Sequence, residues 1–285
     1  MKKVGIIVGN GKLPLYFLKE AEAKGIEVYL IGLFDTIEEE IKNHKNYKSF
    51  NIGEIGEITK YLLLNDIKEV VMLGKVEKSI LFQEMKLDYF GERLMEKLPD
   101  KKDETLLFGV ISFLRLNKIK VLPQNHLLGD MMFKERCYTK NVPSQEDKKT
   151  IQIGIEAAKA LSEIDAGQTV VCKESSVVAL EGIEGTDKTI ERAGEYAGEE
   201  CIIIKMARPQ QDMRVDIPAV GIETVKRAVQ IKAKGIVAEA NKMLFLDMKD
   251  CIELAEKNNI FIIGVKIWKY LFLQERCQEI YTYLI

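Results

Sequence analysis

Residues 3–8 (KVGIIV) form a short apolar run rich in β-branched side chains, the pattern of a parallel strand buried on both faces. The period then changes. Leu13 to Lys24 reads as a helix, with Pro14 suited to its first turn and Gly25 to its end. Strands follow at 27–31, 49–52, 69–73 and 120–122, and helices at 55–65 and 105–117. Strands alternating with helices imply a parallel sheet covered on both faces. Residues 1–130 are therefore expected to form a doubly wound, Rossmann-like α/β domain.

Periodicity fades across residues 126–148, where Asn141, Pro143 and Ser144 punctuate the chain. Residues 131–147 are read as a linker. Residues 148–285 then form a second, mixed α/β domain carrying the main motifs. Its helices are expected at 146–164, 187–197, 222–234 and 249–258. Its strands are expected at 168–173, 176–181, 201–206, 236–238, 243–246 and 260–264. No internal repeat or low-complexity tract interrupts either half.

Composition narrows the class. A hydrophobic share of 47% and a charged share of 30% over 285 residues suit a globular protein with more than one core. The net charge of −2 gives no basic face for nucleic acid. Five widely spaced cysteines without a CxxC pair point to reduced thiols in a cytoplasmic protein. His44 and His126 are the only histidines, so a metal here should have oxygen ligands. The opening MKKVGIIVGNGKLP is broken by Asn10, Gly11 and Lys12 and has no cleavage site, so it is not read as a signal peptide. No apolar window approaches the ~18 residues of a membrane span, and a soluble protein is expected.

Candidate chemistry gathers at loops. Gly9-Asn10-Gly11-Lys12-Leu13-Pro14 joins the first strand to the first helix, where backbone N–H groups and the helix dipole favour an anion. It is GxGxxP, lacking both the third glycine of dinucleotide binding and the GK[ST] of a P-loop. A tight strand-to-helix turn explains it as well. Lys75 follows the strand 69–73 and is either a cleft residue or a solvated one. In Glu181-Gly-Ile-Glu184-Gly185-Thr186-Asp187, the glycines allow close backbone approach. Thr186 or Asp187 can cap the next helix, with Arg192 further along it. In Lys205-Met-Ala-Arg208-Pro-Gln-Gln-Asp212-Met-Arg214-Val-Asp216-Ile-Pro218, an extended course over 214–217 would put Arg214 and Asp216 on one face. Asp212, Asp216, Asp187, Glu181 and Glu184 are possible ligands for a hard cation. Lys173, Lys188, Arg192, Lys205, Arg208 and Arg214 are possible partners for phosphate. A capped connection and a salt-bridged surface loop remain open alternatives. The aromatic tail (Trp268, Tyr270, Phe272, Tyr281, Tyr283) reads as a terminal helix for its own core, a subunit partner or a bilayer surface.

GNGKLP, VVMLGKV, GQTVVCKE, LEGIEGTDKTIERAG and KMARPQQDMRVDIPAVGIETV together resemble the LpxI-type UDP-2,3-diacylglucosamine pyrophosphatases, from the first residues to about Gly264. The last two motifs are long and unusual. The resemblance implies an enzyme of lipid A synthesis in two domains. Such an enzyme hydrolyses UDP-2,3-diacylglucosamine to 2,3-diacylglucosamine 1-phosphate (lipid X) and UMP, with Mg²⁺ or another divalent cation and water attack on the α-phosphorus. Asp216 and Asp212 are then the catalytic pair, and Asp212, Asp216 and Asp187 the metal carboxylates. Gly9, Gly11, Lys75, Lys173, Glu181, Gly185, Thr186, Asp187, Arg192, Lys205, Arg208 and Arg214 are the substrate-binding set. Transient contact with the inner-membrane surface follows from an amphiphilic substrate, and homo-oligomerisation is left open. A non-catalytic nucleotide-sugar or lipid-precursor sensor is the alternative of a different class. NAD-dependent oxidoreduction is disfavoured by the missing third glycine.

Overall fold

The computed structural model describes residues 2–74, 86–99, 103–164, 166–209 and 211–266. Lys75 and the tail beyond Lys266 lie outside them. The chain divides into two compact units, Met1–Gly129 with Asp212–Asp216, and Asp130–Gln211 with Ile217–Ile285.

The first unit is built on β1 (Lys3–Val8), β2 (Glu27–Gly32), β3 (Tyr47–Ser49), β4 (Glu69–Leu73) and β5 (Lys120–Val121), in the order β3-β2-β1-β4-β5. All four pairings are parallel, the doubly wound arrangement that the alternating pattern predicts. The strand order reverses between β1 and β4, and the crevice outside their carboxyl ends is where such sheets take ligands. Ile7, Ile31, Leu62, Ile67, Val70 and Leu114 form a core on one face of this sheet, and Val215 packs against it.

Three elements depart from the sequence reading here, the first a one-turn helix at Glu39–Lys42, too short to show a period. β3 ends at Ser49, where the expected strand begins. A helix at Tyr89–Lys97 was not anticipated, because of its residues only Gly91 is buried and charged residues dominate its surface. Its position depends on Asp88. One carboxylate oxygen of Asp88 accepts from Gly91 N–H at 2.8 Å, and the other accepts from Gly56 and Glu57 N–H at 2.7 and 3.0 Å. One side chain thus caps both this helix and the helix Ile55–Leu64.

The second unit contains β6 (Arg136–Cys137), β7 (Thr169–Lys173), β8 (Ser176–Leu180), β9 (Ile202–Lys205), β10 (Ala219–Val220), β11 (Gly235–Glu239), β12 (Leu244–Phe245) and β13 (Phe261–Val265). Its main sheet runs β6-β13-β11-β9-β7-β8, and β10 pairs with β12 separately. β9, β11 and β13 are parallel, while β6, β7 and β8 add antiparallel pairings, so the sheet is mixed. Alternate residues serve opposite faces. Val170, Ile202 and Ile204 pack with Ile151, Ile155 and Ala158 of the helix Gln145–Glu163. Val171, Ile203 and Ile236 pack with Ile190, Val225 and Cys251 of the helices Gly185–Ala197, Ile222–Gln230 and Met248–Lys257.

Residues 131–147, expected to be a linker, contribute to this unit instead. β6 pairs with β13, and Phe133 stacks on Phe245 with ring centres 4.4 Å apart. Two-residue strands are too short for a period to show in sequence. Burial pushes the Cys172 and Cys251 thiols up to about 12, as inert structural cysteines require. No helix among the described residues is long and apolar enough to cross a membrane.

Candidate active site

The glycine loop of the first unit stands at the carboxyl ends of β1 and β4. Gly9 N–H donates to Leu73 O at 2.7 Å, which ties the loop to the end of β4. Gly74 adopts φ +95°, and a Cβ there would lie 2.5 Å from the Gly9 carbonyl carbon. Only glycine satisfies both the backbone angle and the approach. Gly11, at φ +100°, opens toward space, with nothing within 4 Å of where its Cβ would stand. The helix Leu13–Ala23 begins just beyond, with Pro in its first turn and no side-chain cap. Pro14 has no N–H and Leu15 N–H donates to Lys12 O at 3.0 Å, so this helix start favours an anion through its dipole more than through a set of open N–H groups.

The acidic and basic turn expected in the second half belongs structurally to the first unit. Residues 214–217 are not extended. Val215 and Asp216 N–H donate to Asp212 O at 3.1 and 3.2 Å, which curls the segment into a turn. Arg214 consequently pairs with Asp212 and not with Asp216. Its Nε reaches Oδ1 at 3.0 Å and its Nη2 reaches Oδ2 at 2.7 Å, a bidentate contact reinforced by Arg214 N–H on Oδ1 at 2.9 Å. The guanidinium holds the Asp212 carboxyl below the usual carboxylate range, and Asp212 raises Arg214 in return. Asp216 is exposed on the same turn.

In the second unit, the predicted residues are largely engaged by backbone and side-chain partners of that unit. Lys173 Nζ donates to Ala197 O at 2.8 Å at the end of the helix Gly185–Ala197, which is a structural use. Lys205 Nζ donates to Ala219 O at 3.0 Å. Arg208 N–H donates to Gln211 Oε1 at 3.3 Å. Thr186 does not cap the helix, and neither does Asp187; Glu184 occupies that position with no side-chain cap, and Gly185 begins the helix at φ +79°. Thr186 Oγ1 instead donates to Glu181 Oε1 at 3.0 Å, while Glu181 Oε2 accepts from Gln168 N–H at 3.1 Å. Arg192 pairs with Glu184 at 2.5 Å and donates to Leu180 O at 2.8 Å. A backbone N–H first, then Arg192 and, more weakly, Thr189, hold the Glu184 carboxyl below the usual carboxylate range. Asp187 is exposed in the first turn of the helix.

Two functional-looking residues escaped the sequence reading. Glu239, 3% exposed at the end of β11, accepts from Ala207 N–H at 3.1 Å and pairs with Lys242 at 2.9 Å. An acid closing an otherwise apolar strand is the signal that could have found it. Gln124 is buried just after β5, and nothing in its sequence neighbourhood singles it out.

Among the described residues, no group of three or more His, Cys, Asp or Glu side chains is arranged to hold a metal. The expected carboxylates are divided, with Asp212 and Asp216 in the first unit and Asp187 in the second. Mg²⁺ is commonly held by one or two carboxylates together with substrate phosphates and water. Asp212 and Asp216 are oxygen donors of the chemistry an ion bound in that way would need, with both Asp212 oxygens already accepting from Arg214.

The family description "LpxI N-terminal domain" matches residues 3–131, and "LpxI C-terminal domain" matches residues 134–263. The chain belongs to the LpxI family. The junction of these LpxI domains falls beside the structural division at Gly129 and Asp130. The UDP-2,3-diacylglucosamine pyrophosphatase LpxI of Caulobacter vibrioides is 27% identical over 276 residues, covering 93% of this chain and 98% of that protein. Among solved structures, CobK precorrin-6A reductase is 11% identical with a TM-score of 0.30, over 93% of this chain and 88% of that one. An N-terminal ketoreductase from a macrolactin assembly line is 7% identical with a TM-score of 0.25, over 93% and 54%. Likenesses this slight carry no conclusion.

Proposed function

We propose that this LpxI-family protein hydrolyses the diphosphate of UDP-2,3-diacylglucosamine, releasing UMP and 2,3-diacylglucosamine 1-phosphate in lipid A synthesis. The observation that carries this reading is the match of both LpxI domains, with a relative of that name aligned along 98% of its length. The Asp212–Asp216 turn supplies groups of the right chemistry. Asp216 is the residue to orient the attacking water and accept its proton, being the exposed carboxylate of the turn. Asp212, ionised and locked to Arg214, fixes the guanidinium, whose Nη1 edge is then available in geometry for a diphosphate oxygen. The open backbone at Gly11 and the dipole of the helix start behind it favour further phosphate oxygens there.

Water oxygen bonds to the α-phosphorus as the bond from that phosphorus to the bridging oxygen breaks. The bridging oxygen leaves with the lipid phosphate. Asp212 and Asp216 would hold a divalent cation, which would supply charge neutralisation and a more acidic water. Turnover in ¹⁸O-water with Mg²⁺ or with EDTA tests the reading. Mg²⁺-dependent release of ¹⁸O-labelled UMP is expected, and Asp216→Ala should lower kcat by on the order of 10³-fold with substrate binding retained. Label in the lipid phosphate would overturn the site of attack. Saturable UDP-sugar binding without turnover would favour a sensor.

A further inference from the structure

Gln124 follows β5 and is 4% exposed. Its backbone N–H donates to Met213 O at 2.6 Å. Its side-chain amide nitrogen donates to Met72 O in β4 at 2.7 Å and to Val215 O at 3.2 Å. A primary amide carries two N–H donors, and both have acceptors here. One buried side chain therefore joins the end of the sheet to the turn that bears Asp212, Arg214 and Asp216. That turn is remote in sequence from the rest of its unit, so tertiary bonds and the packing of Val215 must set its position.

We propose that Gln124 is the positioning residue of the reaction, holding the Asp212–Asp216 turn in register with the carboxyl ends of β4 and β5. This rests on the reading that the turn carries the chemistry, and it extends that reading to a residue touching no reacting atom. Loss of either amide bond lets the turn shift, and a displacement of about 1 Å at a reacting group reduces rate by about a hundredfold. Arg214 of the turn is only one of several groups that meet the substrate, so the larger effect belongs in kcat and a small one in KM.

The test compares Gln124→Met, which keeps length without a donor, with Gln124→Glu, which keeps shape and faces two carbonyl oxygens with a carboxylate. Burial among those oxygens raises the carboxyl pKa of the Glu variant, so protonation at lower pH returns one O–H donor. Expected are kcat values about 10- to 100-fold below wild type, KM within about threefold, and retained cooperative melting. The ratio of Gln124→Glu to wild-type kcat should climb from about pH 8 to about pH 5.5, while that of Gln124→Met stays flat. If Gln124→Met does not fold, the pH profile of Gln124→Glu decides alone. Wild-type-like kcat in either variant overturns the proposal, as does a loss in Gln124→Glu that acid does not relieve. Wild-type protein that releases no UMP defeats the functional reading and this proposal together, whereas normal wild-type turnover with unaffected variants defeats this proposal alone.

Discussion

The contact between Asp212 and Arg214 shows how a pair two residues apart becomes a fixed unit. Adjacent side chains of this spacing would share one face of a strand, but the curled backbone also lets Arg214 N–H bond the same carboxylate. Because Arg214 lowers the pKa of Asp212 in the folded state, the pair adds stability above the ordinary carboxylate range. That contribution is lost as pH falls through the lowered value. Arg214→Ala should therefore be less stable than wild type near neutrality by on the order of 1 kcal/mol, with the gap closing in acid. Denaturant titrations at about pH 7 and about pH 2.5 measure this. A gap that stays constant with pH would show that the loss comes from packing and not from ionisation.

Among elements, the helix Tyr89–Lys97 depends on its start more than on its buried face. Asp88 serves three backbone N–H groups on two helices, Gly91 on one side and Gly56 and Glu57 on the other. Asp88→Ala removes two caps at once and should destabilise the protein by about 2–3 kcal/mol, against about 1 kcal/mol for an ordinary cap. Asp88→Asn keeps a single acceptor oxygen and should fall between these limits. Chemical denaturation resolves the series, and equal stability of all three proteins would dismiss the double cap.

At the scale of the molecule, the chain order and the folded units differ. Five residues from the second half complete the first unit, with Val215 among the side chains packed on its core. Val215→Asp places a charge in that contact and should lower the stability of the first unit by about 1–3 kcal/mol. Amide exchange is the measurement. Faster exchange is expected in β1 and β4, far away in sequence, with β9 and β11 unchanged. Acceleration confined to β9 and β11 would contradict the division.

The sequence by itself determined most of the elements and both sheets' character. β1, β4 and β7 are short apolar runs whose burial on both sides leaves a plain pattern, and β8 is an apolar run legible in sequence although it is an exposed edge strand. It also marked the segment containing Asp212, Arg214 and Asp216, because charges at a bend between apolar runs have no use in a core. Only the tertiary structure decided which unit that segment joins, which carboxylate Arg214 takes, and that Gln124 holds it there. Those outcomes depend on hydrogen bonds between residues 52 and 91 positions apart, which no local period encodes. They also depend on backbone curvature, which a single residue order admits in more than one form. The short strands β6 and β10 were hidden for the same reason, since two residues show no period and only their tertiary partners, β13 and the equally short β12, define them.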